Sequence, residues 1–548
     1  MKRTLVVLML ALAVLALAVP MAQAQAPAPK VTINGLIDNV TSYSQNMANY
    51  NGGVLNRGDK MWYMRTRGRF DFIGEVGKAK GVLGIELDHV WGQTGSNDST
   101  IVNAGAASAT AVQTGFGTDG SFDLNTDSRG IIEIKWLYVE FPVPLIPVPT
   151  TARLGAQPFG SLANYKLAAY ATGDFPGVSV TSQVTPNVKL LGTYVQVEEN
   201  LTGTGTKTNL PAAGISNTQN RGDDWAGILS AEVTPFKGLD IKPMFAYFNA
   251  QGTTNGNARQ GRGGLDTGAS FSMPGGAAGG GIIENRYTVG ADARLRMGPF
   301  SLDPTVLYQF GSRDSFAPAS FAPSGTITGR KYSPDISAWF VDIRGGFQLG
   351  PLLLEGLAMY TTGNSKRNNA LGHGTSDGTI RYYQPLTTDT GYLADWGTSL
   401  SSLGIDYLNA YNEANGRVAY PGVSIGYDKY GRMQFGAKAT YAITPALSVM
   451  AGANGIWTAE KVDRDSTSVA GAGLLPNFAG PKVRDSSRYL GTELMALISW
   501  RFADGLVWDN QFGYMFTGAA LDANTDPTLG PRNTHNPYML TSRIRFTF

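Results

Sequence analysis

Three arginines stand two residues apart in the run Trp62-Tyr63-Met64-Arg65-Thr66-Arg67-Gly68-Arg69-Phe70-Asp71-Phe72. In an extended chain, side chains alternate between two faces. Arg65, Arg67, Arg69 and Asp71 therefore share one face at ~7 Å per step, opposite Trp62, Met64, Phe70 and Phe72. Guanidinium forks suit carboxylates and phosphates, so such a ladder would orient or filter anions electrostatically; it would not do covalent chemistry. Unpaired, the three cations would repel. Glu86 and Asp88, on the polar side of the next alternating run, 81–92, are placed to compensate them. The ladder thus reads either as a solvated, self-neutralising wall or as a charge filter of the kind that sets ion preference in pores.

The pattern recurs. Arg286, Asp292, Arg294 and Arg296 oppose Tyr287, Val289, Ala291 and Leu295. Asp342, Arg344 and Gln348 oppose Trp339, Val341, Ile343 and Phe347. At the end of the chain, Thr541, Arg543, Arg545 and Thr547 oppose Tyr538, Leu540, Ile544, Phe546 and Phe548, and Arg153 joins the polar set from 151–159. Other chemistries are poorly supplied. The absence of Cys excludes disulfide scaffolds, thiolate metal sites and Cys nucleophiles. Of the three His, His89 shares a face with Leu83, Ile85, Leu87 and Trp91 and has no convincing Ser partner, while His373 and His535 fall in loops. The runs Gly275-Gly276 and Gly279-Gly280-Gly281 do not join a strand to a helix, as a phosphate cradle requires. The loop acids Asp119, Asp123 and Asp127, with Asn125, lack a defined calcium-ligand order. No cofactor, metal or catalytic group is expected.

The elements that must carry these faces are long strands. Charged residues make up 16% of the 548 residues, below the ~25% of soluble domains, and the 69 Gly are nearly twice the usual share. Strand-like alternation is expected over 31–43, 60–75, 81–92, 129–141, 151–159, 175–184, 187–199, 223–233 and 239–250. It continues over 284–297, 299–311, 336–348, 351–362, 431–443, 446–459, 487–501, 505–517 and 536–548. These runs match the ~9–11 residues of a tilted membrane-spanning strand better than the ~5–6 of a sandwich strand. Short turns such as Gly298-Pro299, Gly350-Pro351 and Thr444-Pro445 alternate with loops rich in Gly, Asn, Ser and Thr. The count of eighteen is even and both chain ends lie on the short-turn side, as a closed transmembrane barrel requires. Sixteen strands is the alternative, and 363–430 is long enough to hide another hairpin. Within 129–141, Glu133 and Lys135 share parity with Leu137, Val139 and Phe141, which calls for a bulge or a mixed face.

Lys2 and Arg3, the apolar run Leu5 to Val19, and Ala22 and Ala24 form a secretory signal pattern, with residues 1–24 expected to be cleaved and 25–548 to form one barrel. Losing Lys2 and Arg3 from the 44 basic residues leaves them level with the 42 acidic ones, so no bulk field points to nucleic acid.

The signal pattern, the short-turn and long-loop alternation and the ending Ile544-Arg545-Phe546-Thr547-Phe548 resemble Gram-negative outer-membrane porins. Lys135-Trp136-Leu137-Tyr138-Val139-Glu140-Phe141, followed by Arg153-Leu154-Gly155-Ala156-Gln157, is similar to a strand pair of proteobacterial porins and alginate-export-like channels. The resemblance implies an outer-membrane channel in contact with lipid. It also implies a C-terminal strand ending in Phe548 that the barrel-assembly machinery reads, and it makes a homotrimer possible. The Ala-rich, weakly charged stretch Leu162-Ala163-Asn164-Tyr165-Lys166-Leu167-Ala168-Ala169-Tyr170-Ala171 resembles the loop that folds inward to constrict such pores, with Leu162, Tyr165, Lys166 and Tyr170 as constriction residues; a cap on the rim is the other reading. The expected function is passive diffusion of small hydrophilic solutes and ions. The alternatives are a selective channel for anionic solutes or oligosaccharides and a plugged structural or adhesive barrel.

Overall fold

The structure, a computed structural model, describes residues 28–46, 60–91, 120–122, 132–159, 169–171, 174–198, 224–251, 283–317, 330–332, 334–363, 379–386, 396, 431–461, 487–519 and 536–548. The proposed signal segment and Leu162, Tyr165 and Lys166 lie outside them.

The strands, in chain order, begin with β1 (Lys30–Gln45), β2 (Lys60–Val76), β3 (Ala79–Trp91), β4 (Gly120–Phe122), β5 (Ile132–Pro142), β6 (Thr150–Pro158) and β7 (Asp174–Thr185). Next come β8 (Val188–Glu198), β9 (Asp224–Phe236), β10 (Leu239–Gln251), β11 (Ile283–Met297), β12 (Phe300–Ala317), β13 (Arg330–Tyr332) and β14 (Asp335–Leu349). The last are β15 (Leu352–Thr361), β16 (Thr379–Ile380), β17 (Arg432–Thr444), β18 (Leu447–Trp457), β19 (Tyr489–Ala503), β20 (Leu506–Thr517) and β21 (Tyr538–Thr547). Three of these 21, namely β4, β13 and β16, are only two or three residues long and belong to the long connections; the other eighteen form the wall. Each wall strand pairs antiparallel with its neighbours, and β1 pairs with both β2 and β21. Gly35 and Phe548 exchange backbone hydrogen bonds of 3.0 Å that finish the closure. Among the described residues each of the eighteen wall strands is paired on both sides, the condition for a sheet in hydrocarbon.

Eighteen strands therefore stand and sixteen do not. The described part of 363–430 holds no extra wall hairpin, only β16, which pairs parallel with the start of β14. Tight turns fix the register at one rim; Gly298 and Gly350 take φ of 57° and 55°, a backbone region open to glycine at little cost.

The irregular parity of 129–141 is resolved by a bulge. Gly84 faces Trp136 while Ile85 faces Ile134, leaving Lys135 as the extra residue. Lys135 and Trp136 both reach inward, and beyond them Leu137 and Val139 turn outward at 56% and 43% exposure. Gly84 makes room for the bulge, since a Cβ there would lie 2.1 Å from the Trp136 Nε1 atom.

The outer face is mostly apolar between two aromatic girdles. Tyr194, Trp225, Tyr247, Tyr287, Phe310, Tyr308 and Trp339 run ring against ring along the long-loop rim. Trp500, Phe502, Trp508, Phe546 and Phe548 mark the short-turn rim. An apolar band flanked by such girdles is the signature of a transmembrane β-barrel of outer-membrane type.

Candidate functional site

The inner face of β21, β1, β2 and β3 carries one continuous ion-pair network. Register sets Arg67 opposite Asp88 and Arg69 opposite Glu86, while Asp38 lies between β2 and β21. Arg67 forks onto Asp88 at 2.6 and 2.5 Å, and Arg69 donates to Glu86. Asp38 accepts from Arg543 at 2.5 Å and lies 3.6 Å from Arg65 and 3.7 Å from Arg545. The bulge brings Lys135 within 3.7 Å of Glu86 and 2.9 Å of Asp174, and lets Trp136 donate to Asp71 at 2.9 Å. Cation and acid thus alternate across neighbouring strands. Side-chain exposure along the ladder rises from 5% at Arg65 to 15% at Arg67 and 34% at Arg69, so the ladder opens toward the short-turn rim.

The opposite wall is finished differently. Phe248, Leu307, Phe340 and Met359 point inward and are nearly inaccessible, because chain from two long connections covers them. From 160–173, Ala169, Tyr170 and Ala171 are buried at 0–1% exposure in that cluster. From 362–431 come Tyr383, Leu386 and Trp396. The two inserts hold each other: the Leu386 N–H donates to the Tyr170 carbonyl at 2.8 Å, and the Tyr383 hydroxyl to the Ala169 carbonyl at 2.9 Å. Burial pushes the Tyr383 phenol well above its ordinary value, so it stays a neutral donor. Gln384 locks the insert to the wall, accepting from Arg286 at 2.8 Å while its backbone N–H and C=O bond the Gln309 amide at 2.9 and 2.7 Å. The Trp396 indole N–H donates to Asn454 at 2.8 Å, and the Lys438 ammonium sits 4.5 Å over its ring.

Between these walls, β5 to β9 line a recess with paired charges, Arg153 on Glu140 at 2.6 Å and Lys189 on Glu232 at 2.8 Å, beside Phe159 and Phe175; Lys80 of β3 also reaches Glu140, at 2.8 Å.

Every described residue expected on the polar faces falls on the inner side of its strand, but not all meet open space. Arg65, Arg67, Arg69, Asp71, Glu86, Asp88, Arg543 and Arg545 form the charged wall, and Arg153 lines the recess. Arg286 instead lies beneath the second insert, held by Glu284 at 2.6 Å and by Gln309 and Gln384. Asp292 and Asp342 are fully buried, the first accepting from Thr305 at 2.6 Å and the second paired with Arg344 at 3.1 Å. Arg294 shares their face, whereas Arg296 is an exposed rim residue on Asp303 at 2.5 Å. Sequence reasoning did not single out the insert 382–386, Trp396, or the acids Asp38 and Glu140. The signal for the insert was present: Tyr382-Tyr383-Gln384-Pro385-Leu386 is as apolar for a loop as 162–171. Among the described residues no group of three or more His, Asp or Glu is placed to hold a metal ion.

No protein-family model matches the chain, and no curated protein does. Among solved structures, it is similar to a BenF-like porin from Pseudomonas fluorescens Pf-5, at 11% identity and TM-score 0.45 over 95% of this chain and 99% of that one. Acinetobacter baumannii OccAB1 aligns at 12% identity and TM-score 0.44 over 96% and 99%. Pseudomonas aeruginosa OccK8 (OprE) aligns at 10% and 0.44 over 95% and 98%. Likenesses this distant carry no argument about site or solute, which rest on the geometry above.

Proposed function

We propose that the protein is a passive channel of the Gram-negative outer membrane, through which small hydrophilic solutes and ions diffuse along the charged wall. The observation that carries this reading is the inner-face network from Asp38 to Lys135, a water-facing surface inside a closed barrel whose outer face is mostly apolar. The inserts 169–171 and 382–386 cover the far wall, so the pathway runs beside β21, β1, β2 and β3, and the inserts narrow it. Because each ladder arginine has an acid partner, the wall favours weak over strong ion selectivity. One feature supports the selective alternative: Arg69 and Arg545, at 34% and 37% side-chain exposure, are the cations an anionic solute would meet.

Conductance of the purified barrel in planar bilayers, with reversal potentials under a salt gradient, tests this. Open channels with a small reversal potential are expected. A large anion-selective potential favours the selective channel, and no conductance means the inserts plug the barrel.

A further inference from the structure

The recess of β5 to β9 has the size and the chemistry of a binding site. It encloses about 240 Å³, below the ~300–1,000 Å³ of pockets that take drug-sized ligands, so it fits one small solute. One end is closed by Phe159 and Phe175, whose ring centroids stand 4.0 Å apart and whose rings are nearly inaccessible to water. Register lays a patch of hydroxyls beside them. Thr151 of β6 faces Thr181 of β7, and Ser179 of β7 faces Thr193 of β8. All four take the inward side of their strands, alternating with exposed Leu154, Val178 and Tyr194.

Most of these hydroxyls are unspent. Ser179 donates to Gln157 at 2.6 Å, but the side-chain hydroxyls of Thr151, Thr181 and Thr193 make no hydrogen bond with any described residue. A threonine hydroxyl supplies one donor and two acceptor positions, so the patch presents both kinds on side chains ~5 Å apart across neighbouring strands. The flanking charges, in contrast, are spent. Arg153 lies on Glu140 and Lys189 on Glu232, so the lining carries two cations and two acids. Lys80 and Lys242, the second cations on these acids, stand outside the lining. An anion entering the recess would have to displace a carboxylate already in place, whereas an uncharged molecule would not.

We propose that the recess binds an uncharged, polyhydroxylated solute of single-ring size, such as a pyranose or a cyclic polyol. The ring hydroxyls exchange hydrogen bonds with Thr151, Thr181 and Thr193 and with the lone pairs that the ion pairs leave on Glu140 and Glu232. The apolar C–H face of the solute lies against the two phenyl rings. Each hydrogen bond is modest in net terms, because water competes for the same groups, so binding is weak and reversible and amounts to a pause beside the pathway. The inference deepens the channel reading by naming a solute class, and rests on it only for how the solute arrives.

Saturation-transfer NMR on the purified barrel, in micelles of a detergent without a sugar headgroup, reads binding without current. With D-glucose as probe, transfer to the ring protons should saturate in the millimolar range. Sodium glucuronate, the same ring bearing a carboxylate, should bind more weakly. Thr181→Val with Thr193→Val keeps the shape and both ion pairs and should weaken glucose about tenfold, as two lost hydrogen bonds imply. Thr440→Val, at an inward position of β17 beside exposed Tyr441, should bind as the wild type does. No saturable transfer to glucose, tighter binding of glucuronate, wild-type affinity in the double variant, or equal weakening by Thr440→Val would overturn the proposal. The wild-type titrations decide even if the double variant fails to assemble. A barrel that binds glucose but passes no current sinks the channel and keeps the site; one that conducts without binding does the reverse.

Discussion

Around β21, β1, β2 and β3 the inward side chains satisfy one another, whereas around β10, β11, β12, β14 and β15 they are satisfied by chain folded in from distant loops. Both regions alternate in the same way and both face away from lipid. The first network is built from strand neighbours, as when Arg67 meets Asp88 directly across the ladder. The second depends on contacts such as Tyr383 with Ala169, 214 residues apart. Charge that is compensated locally can stay beside open space, while apolar inner residues need a cover. The difference therefore decides which side of the lumen is left for solute.

The largest expected effect comes from removing the acid that the charged wall shares most widely. Asp38 faces three cations, Arg543, Arg65 and Arg545, and is itself buried. Asp38→Ala takes from buried Arg65 its nearer acid, leaving Asp88 at 3.9 Å, and should destabilise the barrel by about 3 kcal/mol, the lower end for stripping a buried ion pair, read as a lower urea midpoint for unfolding from vesicles. Glu355→Gln, whose partner Lys438 stands 3.4 Å away in a more exposed pair, should cost under ~1 kcal/mol. Equal losses would mean that the Asp38 network is no more than a solvated surface.

Facing comes next. Val341 points to lipid and Arg344 inward, three residues along β14. Val341→Arg should cost ~2–4 kcal/mol near the midplane, while Arg344→Lys, which keeps a positive charge beside the buried Asp342, should cost less and leave insertion intact. The same folding assay decides, and a larger loss at Arg344 would invert the assignment of faces.

The covered wall predicts a change in current. Gln384→Ala removes the side-chain acceptor for Arg286, and Tyr383→Phe removes a hydrogen bond to the first insert worth ~1 kcal/mol. Both should loosen the inserts and raise single-channel conductance or its open-state noise, with the unfolding midpoint nearly unchanged. Wild-type traces from both variants would place the constriction elsewhere.

How much of this was legible in the sequence follows from the same contrast. Period-two alternation is local, so 60–75 and 239–250 were readable almost to the residue against Lys60–Val76 and Leu239–Gln251. Even the bulge showed as a parity fault at Glu133 and Lys135. Compensation of the ladder by Glu86 and Asp88 was readable because a short turn fixes β2 against β3. Asp38 was not singled out, because its roles come from closure, which brings β1 against β21 from the other end of the chain. The insert 382–386 was missed for a related reason. Nothing local says that a loop residue will bond Gln309 or Tyr170, and burial of Arg286 beneath it could not be read from the strand that carries it.

The smallest expected effect is on selectivity, and the geometry changes how it is best tested. Replacing Arg65, Arg67 and Arg69 together would leave Asp38, Asp88 and Glu86 short of partners in a buried setting, so a selectivity shift would be mixed with loss of structure. Arg69→Gln with Arg545→Gln removes only the two cations at the open end of the wall, at 34% and 37% exposure. Glu86 keeps Arg67 and Lys135, and Asp38 keeps Arg65 and Arg543. Permeation should therefore move toward cations in reversal-potential measurements at low salt, with the barrel as stable as before. The shift should vanish at 1 M salt, where the Debye length falls to ~3 Å and a charge on the wall no longer reaches the pathway. An unchanged permeability ratio at low salt would show that the open end of the ladder lies off the solute path. The route would then have to be sought beside the paired charges of the Arg153 and Lys189 recess.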